Sequence, residues 1–278
     1  MVAVVLLRLT LTPLTVLIAS LVQRRLGPTL GGRVIGLPLT TAPFLLLLGL
    51  GSGVDTAARA AAGVVAGQLA VVGFCLGYGH LALRAGRHSG SGRWVALTVA
   101  LVAAAAGTGV SALVPMTMLL VLLVLATITI GLSTWPTPAG PSPAPRTQRR
   151  WEVPVRMAVS GILVAGLLGL APVLGPHLAG VLATMPVILT VLAPATHDSE
   201  GANAASALVR GALASMPSSV VFVAVLSQTL VPLGLAAAFG VAAAGLVATD
   251  VAVITATAAI GLRTRRSTVA HVRPGSGP

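Results

Sequence analysis

The chain contains the stretch Leu26-Gly27-Pro28-Thr29-Leu30-Gly31-Gly32, and it repeats this stretch later as Leu174-Gly175-Pro176-His177-Leu178-Ala179-Gly180. The offset from Leu26 to Leu174 is 148 residues, and without a gap it aligns further identical residues: Pro38 with Pro186, Gly53 with Gly201, Gly63 with Gly211 and Phe74 with Phe222. Proline is rare inside apolar segments, so composition alone does not explain paired prolines at one offset. The repeat predicts a duplicated unit, with membrane copies at residues 1–133 and 151–262.

The composition predicts an all-α, polytopic membrane protein. Hydrophobic residues make up 56% of the chain, charged residues 8%, and the mean hydropathy is +1.00. A soluble protein cannot keep its surface hydrated with so few charges. All 17 basic residues are arginine, which is typical of a GC-rich bacterial genome. We attribute the net charge of +12 to the positive-inside bias of membrane proteins and predict no nucleic-acid partner.

No pattern in the sequence indicates catalysis. The single Cys75 lies in an apolar run, which rules out an intrachain disulfide and suggests no metal cluster. We find no nucleophile elbow, phosphate-binding loop or zinc-binding helix. We therefore predict that the protein is not an enzyme and has no catalytic residue, metal or cofactor.

Apolar stretches predict nine membrane spans, five before a proline-rich cytoplasmic linker at residues 134–150 and four after it. The long run Trp94–Leu132 is divided into two of these spans, with the break predicted at Gly107-Thr108-Gly109 and Pro115. The last stretch, Leu233–Leu262, is long for one helix and short for two. Residues 263–278 are predicted to be a disordered, basic cytoplasmic tail. The other spans are predicted at Val2–Val22, Leu30–Leu50, Ala57–Leu83, Val153–Val173, Leu178–Thr196 and Ser206–Leu230.

The arginines predict how these spans are oriented. The basic loops all fall on one side of the membrane if the N-terminus is outside, whereas the opposite loops hold almost no arginine. The positive-inside rule then places the N-terminus outside and the C-terminus in the cytoplasm of a bacterial inner membrane. Five spans before the second copy predict that the two copies have inverted topology, an architecture that many secondary transporters use. The basic loops contain Arg24, Arg25, Arg84, Arg87, Arg93, Arg146, Arg149, Arg150, Arg263, Arg265 and Arg266.

Pro38 and Pro186 occupy the same place in the two copies and predict broken helices. A proline removes a backbone donor, and the freed carbonyls can bind a ligand or be satisfied by neighbouring helices. Such breaks are typical of transporter sites near the midplane of the membrane. The alternative is that the prolines only kink the helices for packing, and the sequence leaves both interpretations open.

The second copy resembles a known family over His177–Pro217. It contains Leu-Ala-Gly-Val-Leu-Ala-Thr-Met-Pro, followed by Ser-Glu-Gly-Ala-Asn-Ala-Ala-Ser-Ala-Leu-Val-Arg, and is similar to the GlpM-like family of small bacterial inner-membrane proteins. The resemblance implies a multi-pass protein linked by name to exopolysaccharide (alginate) production. In the first copy, Ser52 stands where Glu200 does. The shared residues would be Ala179, Gly180, Pro186, Glu200, Gly201, Ala204 and Pro217.

Two groups of acidic residues are candidates for function. Asp250 lies near the middle of the last apolar stretch, with no basic residue within twelve positions. A carboxylate at that depth is costly, so it indicates proton or cation coupling, or else a hydrated turn between two short helices. His197, Asp198 and Glu200 form a polar turn predicted to be cytoplasmic. That turn is either simply solvated or a gate or cation-entry site with Arg210 as partner.

Four arginines lie inside apolar segments. Arg33, Arg156 and Arg210 are close to predicted cytoplasmic ends, where arginine extends to the lipid headgroups. Arg8 is deeper and is a candidate for contacting an anionic ligand or pairing with Asp250.

The function predicted from these patterns is a secondary transporter or permease for a small solute. Two more specific hypotheses are that the solute is anionic and that its transport is coupled to protons through Asp250. The alternative is a non-transporting membrane subunit for envelope or exopolysaccharide production. The lipid bilayer is the partner that the sequence predicts directly. A homo-oligomer and an envelope partner are both left open.

Overall fold

A computed structural model describes residues 2–84, 92–113, 118–136, 154–155, 157–159, 161–162, 177–178, 180–181 and 184–271. These residues form helices and contain no strand. The named helices are α1 (Val2–Leu26), α2 (Pro28–Gly36), α3 (Thr41–Ser52), α4 (Val54–Arg84), α5 (Gly92–Leu113), α6 (Met118–Ser133), α7 (Val187–Glu200), α8 (Ala202–Leu233) and α9 (Leu235–His271).

Five of the described segments are long and apolar enough to cross a membrane, and α6 is a shorter apolar helix. This supports the prediction of an all-α protein with several membrane-spanning helices. The five segments are Pro28–Ser52, Val54–Arg84, Gly92–Ser111, Ala202–Leu233 and Leu235–Ala256.

Glycines with positive φ separate consecutive helices. Gly27 lies between α1 and α2, and Gly234 lies between α8 and α9. Gly53 and Gly201 occupy equivalent positions in the two copies, with φ of 88° and 90°. Glycine adopts this region without the steric cost that a Cβ imposes. Pro28 follows Gly27 at the start of α2, where its missing N–H breaks no helical hydrogen bond.

Helix breaks lie at both of the paired prolines. Residues 37–40 separate α2 from α3 and contain Pro38. Residues 184–186 precede α7, and Pro186 is the residue immediately before the first turn of that helix. The repeat motif of the second copy is described only in part, since Gly175 and Pro176 lie outside the described residues.

Three boundaries differ from those predicted. Helix α5 runs through Gly107-Thr108-Gly109 to Leu113, and Pro115, the other part of the predicted break, lies outside the described residues. Gly107 lies at a helix crossing, where an added Cβ would be 2.7 Å from the Leu69 carbonyl oxygen of α4. The glycine is therefore used for close packing and not for a turn.

The polar residues 197–200 are the last turn of α7, so the predicted turn at 197–201 begins only at Gly201. Helix α9 is one continuous helix, which makes the interpretation of Asp250 as part of a turn between two short helices wrong. The backbone of residues 263–271 is helical, where the sequence predicted disorder.

Helices α4 and α8 form the centre of the fold and run antiparallel. Gly79, near the end of α4, lies against Val209, near the start of α8. Gln68, three turns earlier in α4, is hydrogen-bonded to Ser219, three turns later in α8. Both helices bury most of their candidate span, 67% in each case, whereas the other candidate spans are far more exposed. The remaining helices therefore surround this antiparallel pair.

The two copies exchange equivalent contacts. Gly32 on α2 lies so close to α8 that a Cβ would collide with the Leu208 carbonyl. Its equivalent, Gly180, would collide in the same way with the carbonyl of Ala60 on α4, which is the equivalent of Leu208. The segment after each Leu-Gly-Pro motif thus packs onto a long central helix, which is α8 for the first motif and α4 for the second.

Candidate functional site

A group of buried polar side chains lies in the middle of the α4–α8 pair, and we call it the central polar cluster. The Nε2 of Gln68 donates a hydrogen bond to Ser219 Oγ at 3.4 Å, which joins the two helices directly. Buried polar groups in an apolar bundle destabilise it unless they are paired, and each member of this cluster has a hydrogen-bond partner. Its members are Gln68, Thr184, Ser215, Ser218 and Ser219, each with at most 8% of its surface exposed.

Both helix breaks reach the central polar cluster. Thr184, in the break before α7, packs against Gly67 of α4. Gly36, the last residue of α2, packs against Ser215 of α8 in the equivalent contact of the other copy. Ser215 Oγ also donates a hydrogen bond to the Arg33 carbonyl oxygen at 2.9 Å. The end of α2 and the break before α7 therefore each lie against the α4–α8 pair, through Gly36 and Thr184.

Asp250 lies at the edge of the central polar cluster. It is half-buried on α9, and Ser218 Oγ donates a hydrogen bond to its Oδ1 at 3.4 Å. Ser218 is fully buried, so the contact connects the carboxylate to the centre of the bundle. The side chain of Arg8 lies outside the described residues, and its predicted pairing with Asp250 stays a prediction.

A second polar group surrounds the C-terminal end of α7, and we call it the end cluster. It joins α7 of the second copy to three helices of the first copy, α1, α4 and α5. Four of its side chains come from α7 and one from each of the other helices. The members are Thr196, His197, Asp198 and Glu200 with Gln23, Tyr78 and Arg93.

The contact of the end cluster with α1 is made by Gln23. Its Nε2 donates hydrogen bonds to Glu200 Oε1 at 2.7 Å and to Thr196 Oγ1 at 3.1 Å. Gln23 and Thr196 are buried, whereas Glu200 is half-buried. A hydrogen bond to a carboxylate is stronger than one between neutral groups, so this contact holds α7 firmly to α1.

The contacts with α4 and α5 involve adjacent residues of α7. The Tyr78 hydroxyl and His197 Nδ1 are 3.2 Å apart, and Arg93 forms an ion pair with Asp198. His197 lies past the predicted span that ends at Thr196. Burial lowers the pKa of His197, the charge of Arg93 lowers it further, and Asp198 acts in the opposite direction. The imidazole is therefore neutral at pH 7, which lets Nδ1 accept the hydrogen bond of the tyrosine.

The partner predicted for the acidic residues of α7 is wrong. Arg210 is exposed on α8, and the arginine that pairs with Asp198 is Arg93. Gln23, Tyr78 and Arg93 were not singled out in the sequence because each is more than 100 positions away from its partner. No local pattern indicates such contacts. Gln68 was also missed, although an amide in the middle of an apolar helix is a readable signal.

Among the described residues, no charged or aromatic side chain occupies a position equivalent to a member of the end cluster, and Ala171, the equivalent of Gln23, lies outside the described residues. At the offset of 148 residues its members are replaced by aliphatic residues, glycine or serine. Leu226, the equivalent of Tyr78, is fully buried. The two ends of the bundle are therefore held in chemically different ways. The equivalents are Leu48 for Thr196, Gly49 for His197, Leu50 for Asp198, Ser52 for Glu200, Leu226 for Tyr78 and Val241 for Arg93.

A groove of about 960 Å³ runs between α5 and α7 and ends beside Arg93 and Asp198. Its lining is mostly aliphatic, with Leu97, Leu101 and Val187 among the residues that form it. Such a lining does not suit a hydrated solute, so the polar chemistry lies in the two clusters and not along this groove. Among the described residues, no group of three His, Cys, Asp or Glu side chains could hold a metal ion.

No protein-family model, curated protein or solved structure matches this chain. The similarity of His177–Pro217 to the GlpM-like family therefore stays a prediction.

Proposed function

We propose that the protein is a secondary transporter for a small polar solute, built from two repeats of inverted topology with nine spans in total. The observation that carries this proposal is the exchange of equivalent contacts around an antiparallel α4–α8 pair. Repeats of this kind form their substrate sites at the repeat interface, near the midplane of the membrane.

The antiparallel pair supports inversion in particular. Helix α8 is the equivalent of α4 at the offset of 148 residues, and both are candidate membrane spans. Two antiparallel spans enter the membrane from opposite faces. If both helices cross the bilayer, the copies to which they belong are inverted with respect to each other.

The central polar cluster is the proposed solute site. The end of α2 and the break before α7 lie against it, and broken helices leave backbone groups available to a ligand. Its side chains are hydroxyls and one amide, with the Asp250 carboxylate at its edge. This set fits a polar solute whose movement is coupled to protonation of Asp250. The hypothesis that the solute is an anion depends on a contact between the solute and Arg8.

Replacing Asp250 by asparagine is expected to abolish proton-coupled uptake and to leave the fold intact. Asparagine keeps the size of the side chain and the contact with Ser218, but it cannot bind and release a proton. The measurement is the change in internal pH of reconstituted vesicles, read by an enclosed dye, as members of a panel of small polar solutes are added. We expect the proton signal to fall by about tenfold or more.

Asp55→Asn is the matched control, because Asp55 is exposed in the first turn of α4. It should keep the parental uptake. Uptake that persists in Asp250→Asn would remove Asp250 from the mechanism. If no solute in the panel produced a signal in the parent protein, the transporter proposal would give way to the accessory subunit.

A topology map tests the inversion separately. Reporters at the N-terminus, in the linker at residues 136–145 and in the tail after Arg263 are expected to place the first outside and the other two in the cytoplasm. An N-terminus and a linker on the same side would make the copies parallel, and the alternating-access argument would then lose its support.

The second candidate is a non-transporting membrane subunit for envelope or exopolysaccharide production. It is favoured by the similarity of His177–Pro217 to the GlpM-like family. This candidate predicts a folded protein whose reconstituted vesicles carry no solute, and whose loss in the cell reduces polysaccharide export.

A further inference from the structure

Helix α7 connects the central polar cluster to the end cluster. It begins directly after Thr184 and Pro186, and its last turn carries the residues of the end cluster. Fourteen residues at 1.5 Å per residue give it a length of about 21 Å. A displacement of α7 at one end would therefore change the position of the residues at its other end.

Both ends of α7 are non-helical joints. Residues 184–186 precede the helix, and Gly201, with φ of 90° and ψ of 174°, follows it. Hinge motions are absorbed by a few residues at the ends of elements, and glycine tolerates large changes of φ and ψ. Bending of α7 is therefore expected at these two joints and at Pro194, which lies inside the helix.

We infer that the end cluster is the cytoplasmic gate of the protein, which opens when α7 separates from α1, α4 and α5. This inference rests on the proposed transporter function and adds to it the residues that close one end of the path. Each polar contact of the gate joins one copy to the other, so relative movement of the copies must break all of them together.

The contacts suit a gate that opens repeatedly. The ion pair of Arg93 with Asp198 is partly hydrated, since the Asp198 side chain is 58% exposed. Ion pairs in such positions are weak, because water competes for both partners. Tyr78 and His197 form a hydrogen bond between neutral groups, which water can also replace. Solvent would therefore compensate these two contacts in the open state, whereas the buried hydrogen bonds of Gln23 to Thr196 and Glu200 are the stronger contacts that opening must break.

The opposite end of the bundle differs chemically from the end cluster, as expected for a transporter with two separate gates. The equivalent residues there are mainly aliphatic, with Leu48 and Leu50 in place of Thr196 and Asp198. Variants of the end cluster should consequently open one side of the protein and leave the other closed.

The test uses the full chain in oriented vesicles with Cys75 replaced by alanine and Ala193→Cys as the reporter. Ala193 is fully buried on α7, one turn before His197. A membrane-impermeant maleimide is added from the linker side, and its rate of reaction is measured. Arg93→Ala is expected to raise that rate by about two- to fivefold, since it removes one partly hydrated ion pair among the contacts that keep α7 closed.

The double variant Arg93→Asp with Asp198→Arg should restore the slow reaction, because it rebuilds the ion pair with reversed charges. Arg210→Ala is the matched control, an exposed arginine outside the cluster, and it should change nothing. Tyr78→Phe, which removes only a hydroxyl, covers the case in which Arg93→Ala fails to fold. A second reporter, Leu48→Cys, should react at an unchanged rate.

An unchanged rate at Ala193→Cys in both Arg93→Ala and Tyr78→Phe would overturn the gate, even if vesicles transport solute. A raised rate that the charge reversal does not restore would also overturn it. The labelling needs no solute, so a raised and restored rate in vesicles that carry none would support an opening end cluster and contradict the transporter proposal alone.

Discussion

Replacing Gly32 by valine is expected to destabilise the fold more than any other single change considered for this chain. A Cβ at Gly32 would collide with the Leu208 carbonyl and would lie 3.0 Å from the Ala212 backbone nitrogen of α8. Both atoms belong to a helix backbone, which cannot move aside as a side chain can. Overpacking usually costs about 1–3 kcal/mol, and a backbone collision lies at or beyond the upper end.

The measurement is the melting temperature of the detergent-purified protein, read as the monodisperse fraction after heating. Gly240→Val is the matched control, because Gly240 is also helical and has no heavy atom within 4 Å of an added Cβ. The control should melt close to the parent. Gly180→Val should behave like Gly32→Val, because its contact with Ala60 is the exchanged equivalent. Equal melting of Gly32→Val and Gly240→Val would contradict the packing described for α2 and α8.

Replacing Gly67 by serine is expected to destabilise the protein, and adding Thr184→Gly is expected to rescue it. A Cβ at Gly67 would collide with Thr184 Oγ1. At the equivalent contact, 148 residues apart in the sequence, Gly36 takes the place of Thr184 and Ser215 takes the place of Gly67. The double variant therefore reproduces a serine–glycine pairing that the fold already contains. A double-mutant cycle should give a favourable coupling of about 1–3 kcal/mol.

The stability of the four proteins in the cycle is measured by heating in detergent as above. Thr184→Gly alone should lose a little stability, since glycine raises the entropy of the unfolded chain and the Oγ1 contact with the Val181 carbonyl is lost. Additive effects of the two changes would mean that Gly67 and Thr184 do not share a contact. Such a result would remove the argument that both helix breaks reach the central polar cluster.

Much of the helical framework was predictable because its causes are local. Runs of apolar residues form the helices. A positive φ favours glycine at Gly53 and Gly201. The missing backbone donor of proline interrupts the helices near Pro38 and Pro186. The predictions that failed depended on neighbours. Gly107 reads as a breaker in the sequence, but the approach of α4 keeps it inside α5.

The candidate sites were predictable only in part, for the same reason. Asp250 and Glu200 are visible in the sequence as rare acids in an apolar chain, and both contact buried polar groups. Arg210 is close to Glu200 in sequence, whereas the arginine that pairs with the end of α7 is Arg93. The choice between two arginines depends on which helix lies beside α7, and no sequence spacing specifies it.

The sequence by itself determined that this is an all-α chain with apolar helices that fit a membrane, with helix ends at glycine and proline. Hydropathy, glycine φ and proline geometry act within a few residues, so they can be read from the chain. Only the tertiary structure decided that α4 and α8 run antiparallel and that the segment after each Leu-Gly-Pro motif packs on one of them. These contacts join residues about 150 positions apart, such as Gln68 and Ser219. Close packing of backbones selects them, and that depends on the shapes of both partners at once.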